Sequence, residues 1–298
     1  MEYSGVKEIA EKWEISERSV RDYCEKGKIE GATLVGKTWK VPSNSQKPAR
    51  KERIRKFPNN LLERLKIEKE NKISGGIYHK IQVDLTYNSN HIEGSRLTHD
   101  QTRYIFETKT IGLEKESINV DDIIETVNHF RCIDFIIDKA NYLLSESLIK
   151  QIHRMLKTGT TDSEKSWFAL GEYKKVANIV GGQETTSPEL VSNEMKNLIK
   201  KYNQSKSKNL RDLIDFHYDF ERIHPFQDGN GRVGRLILFK ECIKNNIVPF
   251  IIEDDIKFFY YRGLKEWKKQ EGYLMDTCLT AQDRFKAILD YFKINYKK

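Results

Sequence analysis

The chain has 298 residues, of which 38% are apolar and 32% are charged, and its formal net charge is +8 at pH 7. This composition is typical of a globular protein large enough for two domains, and it excludes a disordered chain. No run of eighteen apolar residues occurs and the four cysteines are widely spaced, so we expect no membrane span and a cytoplasmic protein with free thiols.

Positive charge is concentrated at the N-terminus. Residues 1–58 hold fourteen lysines and arginines against nine aspartates and glutamates, which leaves this segment at +5 and the other 240 residues at +3. The asymmetry favours an anionic partner for the segment, most simply nucleic acid. A solvated basic surface is the alternative.

Residues 1–45 have the pattern of a small winged helix-turn-helix domain. GVKEIAEKW at residues 5–13 has helical apolar spacing, and Ser16 is a suitable N-cap for a second helix that Gly27 ends. The runs ATLVG and TWKVP, joined through Gly36 and Lys37, predict a β-hairpin. The segment resembles the helix-turn-helix modules of the MerR and excisionase type.

In such modules the second helix enters the major groove of DNA. The resemblance implies DNA contacts from the second helix, its end and the tip of the wing, through Arg18, Ser19, Arg21, Lys28 and Lys37. A module that docks protein is the alternative. Residues 46–58 are polar and basic and predict a linker.

From residue 59 to residue 298 the apolar spacing predicts a second, mainly helical domain. Residues 173–188, YKKVANIVGGQETTSP, interrupt it with a β-tending run and a Gly-Gly turn, which predict a hairpin. The fold class expected for the whole chain is therefore mainly α, with one small hairpin in the second domain.

The densest functional signal is HPFQDGNGRVGR at residues 224–235. A helix ending at Ile223 is stopped by Pro225, which favours an extended His224, and a new helix is predicted from near Arg232 to Asn246. The glycines at residues 229 and 231 let backbone N–H groups converge on an anion at the start of that helix.

The charged residues of this stretch fit a nucleotide triphosphate. Arg232 and Arg235 share a helix face and suit polyphosphate, Asp228 is a natural Mg²⁺ ligand beside phosphates, and His224 titrates in the range of a general base. The stretch is neither a Walker A loop nor a dinucleotide fingerprint. A helical corner with incidental charges is the alternative, and the number of matching residue types argues against it.

HPFQDGNGRVGR fills every defining position of the Fic motif, His-Pro-Phe-x-Asp/Glu-Gly-Asn-Gly-Arg-x-x-Arg, and residues 60–298 resemble the Fic family. The resemblance implies a helical enzyme that transfers AMP from ATP to a Ser, Thr or Tyr hydroxyl of a target protein. ATP would be the co-substrate, Mg²⁺ the cofactor, and the chain itself is one conceivable target. Relatives often self-associate, which implies a homodimer.

The resemblance also implies roles for individual residues. His224 would be the base, Asp228 the metal ligand and Phe226 a core anchor, and Asn230 would act at the α-phosphate. The nucleotide would be bound by Gly229, Asn230, Gly231, Arg232, Arg235, Tyr261 and Leu264. The hairpin would take a target segment as an added strand through Val176, Ile179, Val180 and Gly181. Lys268 stands where family members often have Asn.

A second short stretch, SNHIEG at residues 89–94, resembles the Fic inhibitory motif through Ser89, Glu93 and Gly94. The resemblance implies that Glu93, on a helix near residues 86–94, pairs with Arg235 and leaves ATP bound unproductively. In relatives the same glutamate can assist removal of AMP. A surface glutamate at a helix end is the alternative.

Two functions remain open on this sequence. The first is an autoinhibited protein adenylyltransferase with a DNA-binding domain. The second is a DNA-binding transcriptional regulator whose Fic-like domain senses nucleotide. The presence of both His224 and Asp228 favours the enzyme, since a nucleotide sensor needs only the arginines that bind the phosphates, Arg232 and Arg235.

Overall fold

A computed structural model describes residues 2–48, 57–112 and 117–296. The chain divides into two compact units, residues 1–56 and 57–298. Most of the predicted linker at 46–58 lies outside the described residues.

The N-terminal unit contains two short helices and one sheet. Its sheet has three antiparallel strands, and the strand formed last in the chain lies between the other two. The first strand was not predicted because three residues are too few for an alternation pattern. A small apolar core that includes Trp13 and Val20 joins helices and sheet. The elements are β1 (Tyr3–Gly5), α1 (Val6–Trp13), α2 (Glu17–Glu25), β2 (Thr33–Val35) and β3 (Thr38–Pro42).

The ends of these elements follow local chemistry. The Ser16 hydroxyl accepts the Ser19 backbone N–H at 3.3 Å and so caps α2. Gly36 has φ +64° in the turn between β2 and β3, where a side chain would be strained. Two helices joined by a tight turn and followed by a hairpin are thus present in this unit.

The C-terminal unit is a helical bundle with one small hairpin. Its helices are α3 (Leu61–Glu70), α4 (Ile77–Ile92), α5 (His99–Thr108), α6 (Val120–Asp138), α7 (Glu146–Lys157), α8 (Pro188–Gln204), α9 (Leu210–Ile223), α10 (Asn230–Lys244), α11 (Lys257–Glu266) and α12 (Gly272–Tyr291). Strands β4 (Ile179–Val180) and β5 (Gln183–Glu184) pair antiparallel, with Val180 opposite Gln183. Fold class is therefore confirmed as mainly helical.

Helix α10 is the centre of this unit. It packs against α4, α6, α7 and α9, and its side chains are buried on every face rather than along one stripe. Leu236, Ile237 and Phe239 are almost fully inaccessible. Shortening such a side chain to alanine typically costs about 2–5 kcal/mol of stability, so the start of α10 is held on a rigid element.

None of the helices in the described ranges combines the length and the apolar character needed to cross a bilayer. All four cysteines are buried and free: Cys24, Cys132, Cys242 and Cys278. Burial raises the pKa of the Cys278 thiol, which keeps it protonated.

Candidate active site

Residues 224–229 connect α9 to α10 and are called the motif loop here. The first of them, His224, has a left-handed backbone conformation. Its φ is +51° and its N–H donates to the Phe220 carbonyl at 2.9 Å, which closes the last turn of α9. The predicted extended His224 is therefore wrong. A left-handed residue satisfies the helix end and turns the chain back towards α10, and this outweighs the preference that Pro225 imposes on its neighbour.

The side chain of Asn230 stabilises the motif loop through two hydrogen bonds. Its side-chain oxygen accepts the Phe226 N–H at 2.8 Å, and its amide nitrogen donates to the Phe226 carbonyl at 2.9 Å. Helix α10 begins at Asn230, two residues before the predicted start, directly after Gly229 with φ +79°. Both polar atoms of the buried Asn230 side chain are thus hydrogen-bonded within the motif loop.

Phe226 anchors the loop in the core beside a histidine of α7. The ring of Phe226 is 0% exposed and stacks on His153 with centroids 3.9 Å apart. His153 Nδ1 accepts the Gly171 N–H at 3.0 Å, so Nε2 carries the proton and donates to the Asp228 carbonyl at 3.2 Å. Burial lowers the pKa of His153 to about 3, which keeps the ring neutral. His153 therefore lies in the core and also holds the motif loop in place.

The environment of His224 suits a base. Burial and, to a smaller extent, the nearby Lys174 ammonium together lower the pKa of His224 to about 4. The imidazole is therefore neutral at pH 7. Lys174 comes from the segment before the hairpin, and its backbone N–H donates to the Pro225 carbonyl at 2.8 Å, so hairpin and motif loop are joined there.

Asp228 lies in a group of four charged side chains from three helices and the loop. Lys157 Nζ is 2.5 Å from both Asp228 Oδ2 and Glu125 Oε1. Arg232 forms a hydrogen bond with Glu125 and lies 3.4 Å from Asp228 Oδ2. Burial alone would raise the pKa of Asp228, but the charges of Arg232 and Lys157 lower it to about 2. Sequence reasoning missed Lys157 and Glu125, which come from α7 and α6.

The surroundings of Asp228 fit a magnesium ion that is shared with a nucleotide. Mg²⁺ typically takes one or two carboxylates and completes its shell with phosphates and water. The Asp228 side chain is 44% exposed, and the contacts from Lys157 and Arg232 are both made to its Oδ2. Within residues 2–48, 57–112 and 117–296, no three His, Cys, Asp or Glu side chains cluster as a complete metal site.

Arg235 is bound to the end of α4. Its Nη2 donates to Glu93 Oε1 at 2.7 Å and to the Ser89 carbonyl at 2.9 Å, and its Nε donates to Ser89 Oγ at 3.1 Å. A Cβ at Gly231 would collide with the Glu93 carboxylate, so this glycine makes the close approach feasible. Gly94 follows with φ +97°. Both motif arginines are therefore paired with carboxylates, Arg232 with Glu125 and Arg235 with Glu93.

The hairpin presents an open edge near the motif. Ile179 is 68% exposed, and Val176 and Val180 are about half exposed. Val176 lies in a bend before β4, and Gly181 begins the turn with φ +56°. Asn178 Nδ2 donates to the Phe226 carbonyl at 3.4 Å, which ties the hairpin base to the loop.

Helix α11 reaches the same region from the other side. The Tyr261 hydroxyl donates to the Ile92 carbonyl at 3.1 Å, one residue before Glu93. Leu264 packs against the apolar cluster that contains Ile92. Lys268, at the position where Asn was expected from the family pattern, lies 3.3 Å from Asp215. Tyr261 is thus near Glu93, while Leu264 is partly buried.

The predicted DNA contacts of the N-terminal unit differ in their availability. Arg18, Lys28 and Lys37 are exposed. Arg21 pairs with Glu17 at 2.6 Å, and the Ser19 hydroxyl lies 2.9 Å from that of Ser16 at the start of α2. Arg21 and Ser19 therefore have local partners.

Part of the C-terminal unit is similar in sequence to known proteins. Residues 143–241 match the model of the Fic/DOC family. A protein adenylyltransferase Fic of Nematostella vectensis is 29% identical over 190 residues, which are 60% of this chain and 42% of the relative. Protein adenylyltransferase fic-1 of Caenorhabditis elegans is 28% identical over 188 residues, 60% of this chain and 35% of the relative. The chain thus spans less than half the length of these curated relatives.

Solved structures show the same fold. A Fic domain containing signaling protein from Bacteroides thetaiotaomicron superposes with a TM-score of 0.62 at 20% identity, over 81% of this chain and 99% of that one. Fic-1 from C. elegans superposes with a TM-score of 0.61 at 20% identity, over 75% of this chain and 66% of that one. The C-terminal unit thus has the fold of solved Fic proteins, and residues 143–241, which include the complete motif at residues 224–235, match the Fic/DOC family model.

Proposed function

We propose that this chain is a protein adenylyltransferase that transfers AMP from ATP to a Ser, Thr or Tyr hydroxyl of a protein. The observation that carries the proposal is the motif loop itself. A neutral His224 and an anion-binding helix start lie within one rigid loop beside the exposed edge of the hairpin. The similarity to curated adenylyltransferases supports the same reaction.

In the proposed reaction His224 takes the proton from the target hydroxyl as its oxygen attacks the α-phosphorus. The bond to the bridging oxygen breaks and pyrophosphate leaves with its electron pair. Backbone N–H groups at the start of α10 stabilise the charge on the α-phosphate, and the partial positive charge of the helix end adds to this. The target segment would pair with the free edge of β4, which fixes the hydroxyl near His224.

Asp228 would hold the Mg²⁺, which would supply positive charge to the α- and β-phosphates. Arg232 and Arg235 would bind the outer phosphates once their present carboxylate partners exchange for the nucleotide. Tyr261 and Leu264 would flank the nucleoside. ATP is the co-substrate in this scheme, and the position of Lys268 leaves its preference over other nucleotides to direct measurement.

Inhibition is proposed to follow from the pair of Glu93 and Arg235. While the guanidinium is bound to this carboxylate it cannot take the γ-phosphate, and the glutamate repels a triphosphate placed beside it. ATP would then bind in an unproductive position. The same carboxylate could direct a water molecule to an attached AMP, so removal of AMP belongs to this proposal.

We further propose that the N-terminal unit binds DNA through α2 and the wing, with Arg18, Lys28 and Lys37 as phosphate contacts. Their exposure and the +5 charge of residues 1–58 support this. Loss of binding to random-sequence DNA in Lys28→Ala/Lys37→Ala, in a gel-shift titration at two salt concentrations, tests it. A cytoplasmic location agrees with four free cysteines, and self-association into a dimer would be measured by light scattering.

The decisive experiment uses α-labelled ATP, Mg²⁺ and the purified full chain. Wild type, Glu93→Gly, and Glu93→Gly with His224→Ala are compared for label on protein. We expect strong self-labelling of Glu93→Gly, weak labelling of wild type and none of the double variant. A chase of labelled Glu93→Gly protein with unlabelled wild type then tests removal of AMP.

No label on any variant, with ATP binding intact, would instead support a DNA-binding regulator whose Fic domain senses nucleotide. The pairing of both motif arginines with carboxylates favours this second candidate, because nucleotide binding would have to break these contacts and so change the structure. An ATP-dependent change in DNA affinity without labelling would then establish it.

A further inference from the structure

Lys157 places a permanent positive charge at the carboxylate expected to hold the metal. Its ammonium lies 2.5 Å from Asp228 Oδ2, and its side chain is only 3% exposed. We propose that Lys157 acts as a resident cation of the phosphate site, so that nucleotide binding depends less on Mg²⁺ than a lone Asp228 would require. The inference rests on the proposed nucleotide site and assigns a new residue to it.

Lys157 lies next to the motif loop. The aliphatic part of its side chain runs along Gly229, since a Cβ on this glycine would lie 3.6 Å from Lys157 Cδ. Gly229 is the residue directly before α10, where backbone N–H groups converge. The ammonium therefore lies at the floor of the loop rather than on a distant face of α7.

Charge balance explains what this lysine contributes. Lys157 and Arg232 face the carboxylates of Asp228 and Glu125, so these four side chains are neutral together. A third carboxylate, that of Asp162, lies 3.9 Å from Lys157 and is balanced by Lys165 at 2.6 Å. Without the lysine, two carboxylates would face a triphosphate with one arginine between them. Like charges at a few ångströms strongly oppose binding in a partly dry site, and a divalent cation would then be indispensable.

A second observation indicates that an anionic ligand binds beside these charged side chains. Arg232 is 4% exposed, and its Nε has no hydrogen-bond partner among the described residues. Buried guanidinium N–H groups are normally satisfied, and a phosphate oxygen is a suitable acceptor for one beside a helix start. A purely structural ion pair of Lys157 with Glu125 would leave this donor unexplained.

The test measures the affinity for ATP by calorimetry, once with Mg²⁺ and once with EDTA. All proteins carry Glu93→Gly and His224→Ala, which free the site and prevent turnover. The parent is compared with Lys157→Met, with Lys157→Arg, and with Lys150→Met as the matched control. Lys150 lies on the same helix, and its ammonium pairs with Glu172 at 2.7 Å rather than with Asp228.

We expect the parent, Lys157→Arg and Lys150→Met to lose less than about tenfold in affinity when Mg²⁺ is removed. On removal of Mg²⁺, the ATP affinity of Lys157→Met should fall by a factor at least about ten times larger than in the parent, because one full positive charge is missing beside the phosphates. Rescue by arginine separates this charge effect from altered packing. Should Lys157→Met not fold, a loss of about tenfold or more in the ATP affinity of the parent on removal of Mg²⁺ would by itself overturn the inference.

Failure of the inference differs from failure of the proposed function. A parent that binds ATP and shows the same dependence on Mg²⁺ as Lys157→Met overturns the role of Lys157 and leaves the nucleotide site intact. A parent that binds no ATP under either condition overturns both. Far-UV circular dichroism and melting curves of each variant establish that folded proteins are compared.

Discussion

The guanidinium of Arg235 is bound to the carboxylate of Glu93 at 2.7 Å, which joins the central helix of the Fic domain to the end of α4. The two residues are 142 positions apart in the sequence, and the arginine is buried while the glutamate is about 29% exposed at its side chain. The contact therefore has an energetic consequence for the free protein as well as a proposed regulatory one.

Replacing Glu93 with glycine should lower the stability of the free protein. The buried Arg235 would lose its carboxylate, and an unpaired buried charge costs several kcal/mol, which the partial exposure of Glu93 reduces to about 1–3 kcal/mol. For a domain of this size we expect a decrease in Tm of roughly 2–10 °C. Differential scanning fluorimetry measures it.

ATP should restore more stability to Glu93→Gly than to wild type, because its phosphates replace the missing partner of Arg235. The control is Glu194→Gln, which removes an exposed carboxylate 3.6 Å from Arg222. Equal ATP-induced increases in Tm for Glu93→Gly and wild type would show that Arg235 does not exchange the glutamate for the nucleotide.

Asn230→Ala should disable the motif loop even though Asn230 is buried. The change removes both hydrogen bonds with Phe226 and leaves its buried N–H without a partner, while its carbonyl keeps only the 3.4 Å hydrogen bond from Asn178, at a cost of about 1–3 kcal/mol. We expect a lower Tm and at least tenfold weaker ATP binding in the Glu93→Gly background. The control is Asn245→Ala, which changes an asparagine at the opposite end of α10. An ATP affinity unchanged by Asn230→Ala would contradict the proposed positioning role of Asn230.

The sequence allows the motif loop to be predicted because its chemistry is local. His224, Phe226, Asp228 and Arg232 lie within nine residues, and proline and glycine mark the ends of the two helices around them. The helix start was misplaced by two residues because the Asn230 side chain, usually counted against a helix interior, is satisfied inside the loop instead.

Contacts over long sequence distances could not be predicted in this way. Lys157 lies 71 residues from Asp228, and Glu125 lies 107 residues from Arg232. A lysine that ends a strongly amphipathic helix gives the pattern of a solvated residue, so only the packing of α6, α7 and α10 reveals its position. The pairing of Glu93 with Arg235 was accessible through the family resemblance alone, since no periodicity relates the two segments.

The rate of AMP transfer should stay high far below the usual pKa of histidine. Burial and the Lys174 charge lower the pKa of His224 to about 4, and a base must be unprotonated, so activity is lost only as the pH falls through this value. We expect kcat/KM of Glu93→Gly to be nearly constant between pH 5.5 and 7.5, apart from losses due to unfolding. An ascending limb centred near 6.5 would contradict this environment for His224.

Lys174→Met provides the matched test of that shift. Removing the cation should raise the pKa of His224, so the ascending limb should move to higher pH while the plateau rate remains measurable. Lys175→Met, at the neighbouring exposed lysine, should leave the profile unchanged. Identical profiles for the Lys174 and Lys175 variants would show that burial alone determines the pKa.

Glu221 is a buried carboxyl one turn before His224. Its Oε1 has no hydrogen-bond partner among the residues that the structure describes, and Gly234 on α10 leaves the space that it occupies. Burial raises the pKa of Glu221 to about 8, although the Arg235 charge opposes this and the Glu93 charge adds to it. The carboxyl is therefore protonated in the folded protein at neutral pH and ionised in the unfolded chain.

Glu221→Gln should therefore stabilise the protein at pH 8 relative to pH 5. Between about 4.5 and 8 the folded state binds one more proton than the unfolded state, so wild-type stability falls with rising pH by up to about 1.4 kcal/mol per unit from this group. The glutamine has no such proton, so its stability difference from wild type should become more favourable by at least about 1 kcal/mol across this window. Urea unfolding at both pH values measures the difference, with Glu194→Gln as the exposed control. The same difference at pH 5 and pH 8 would mean that Glu221 is already ionised in the folded state, held by Arg235.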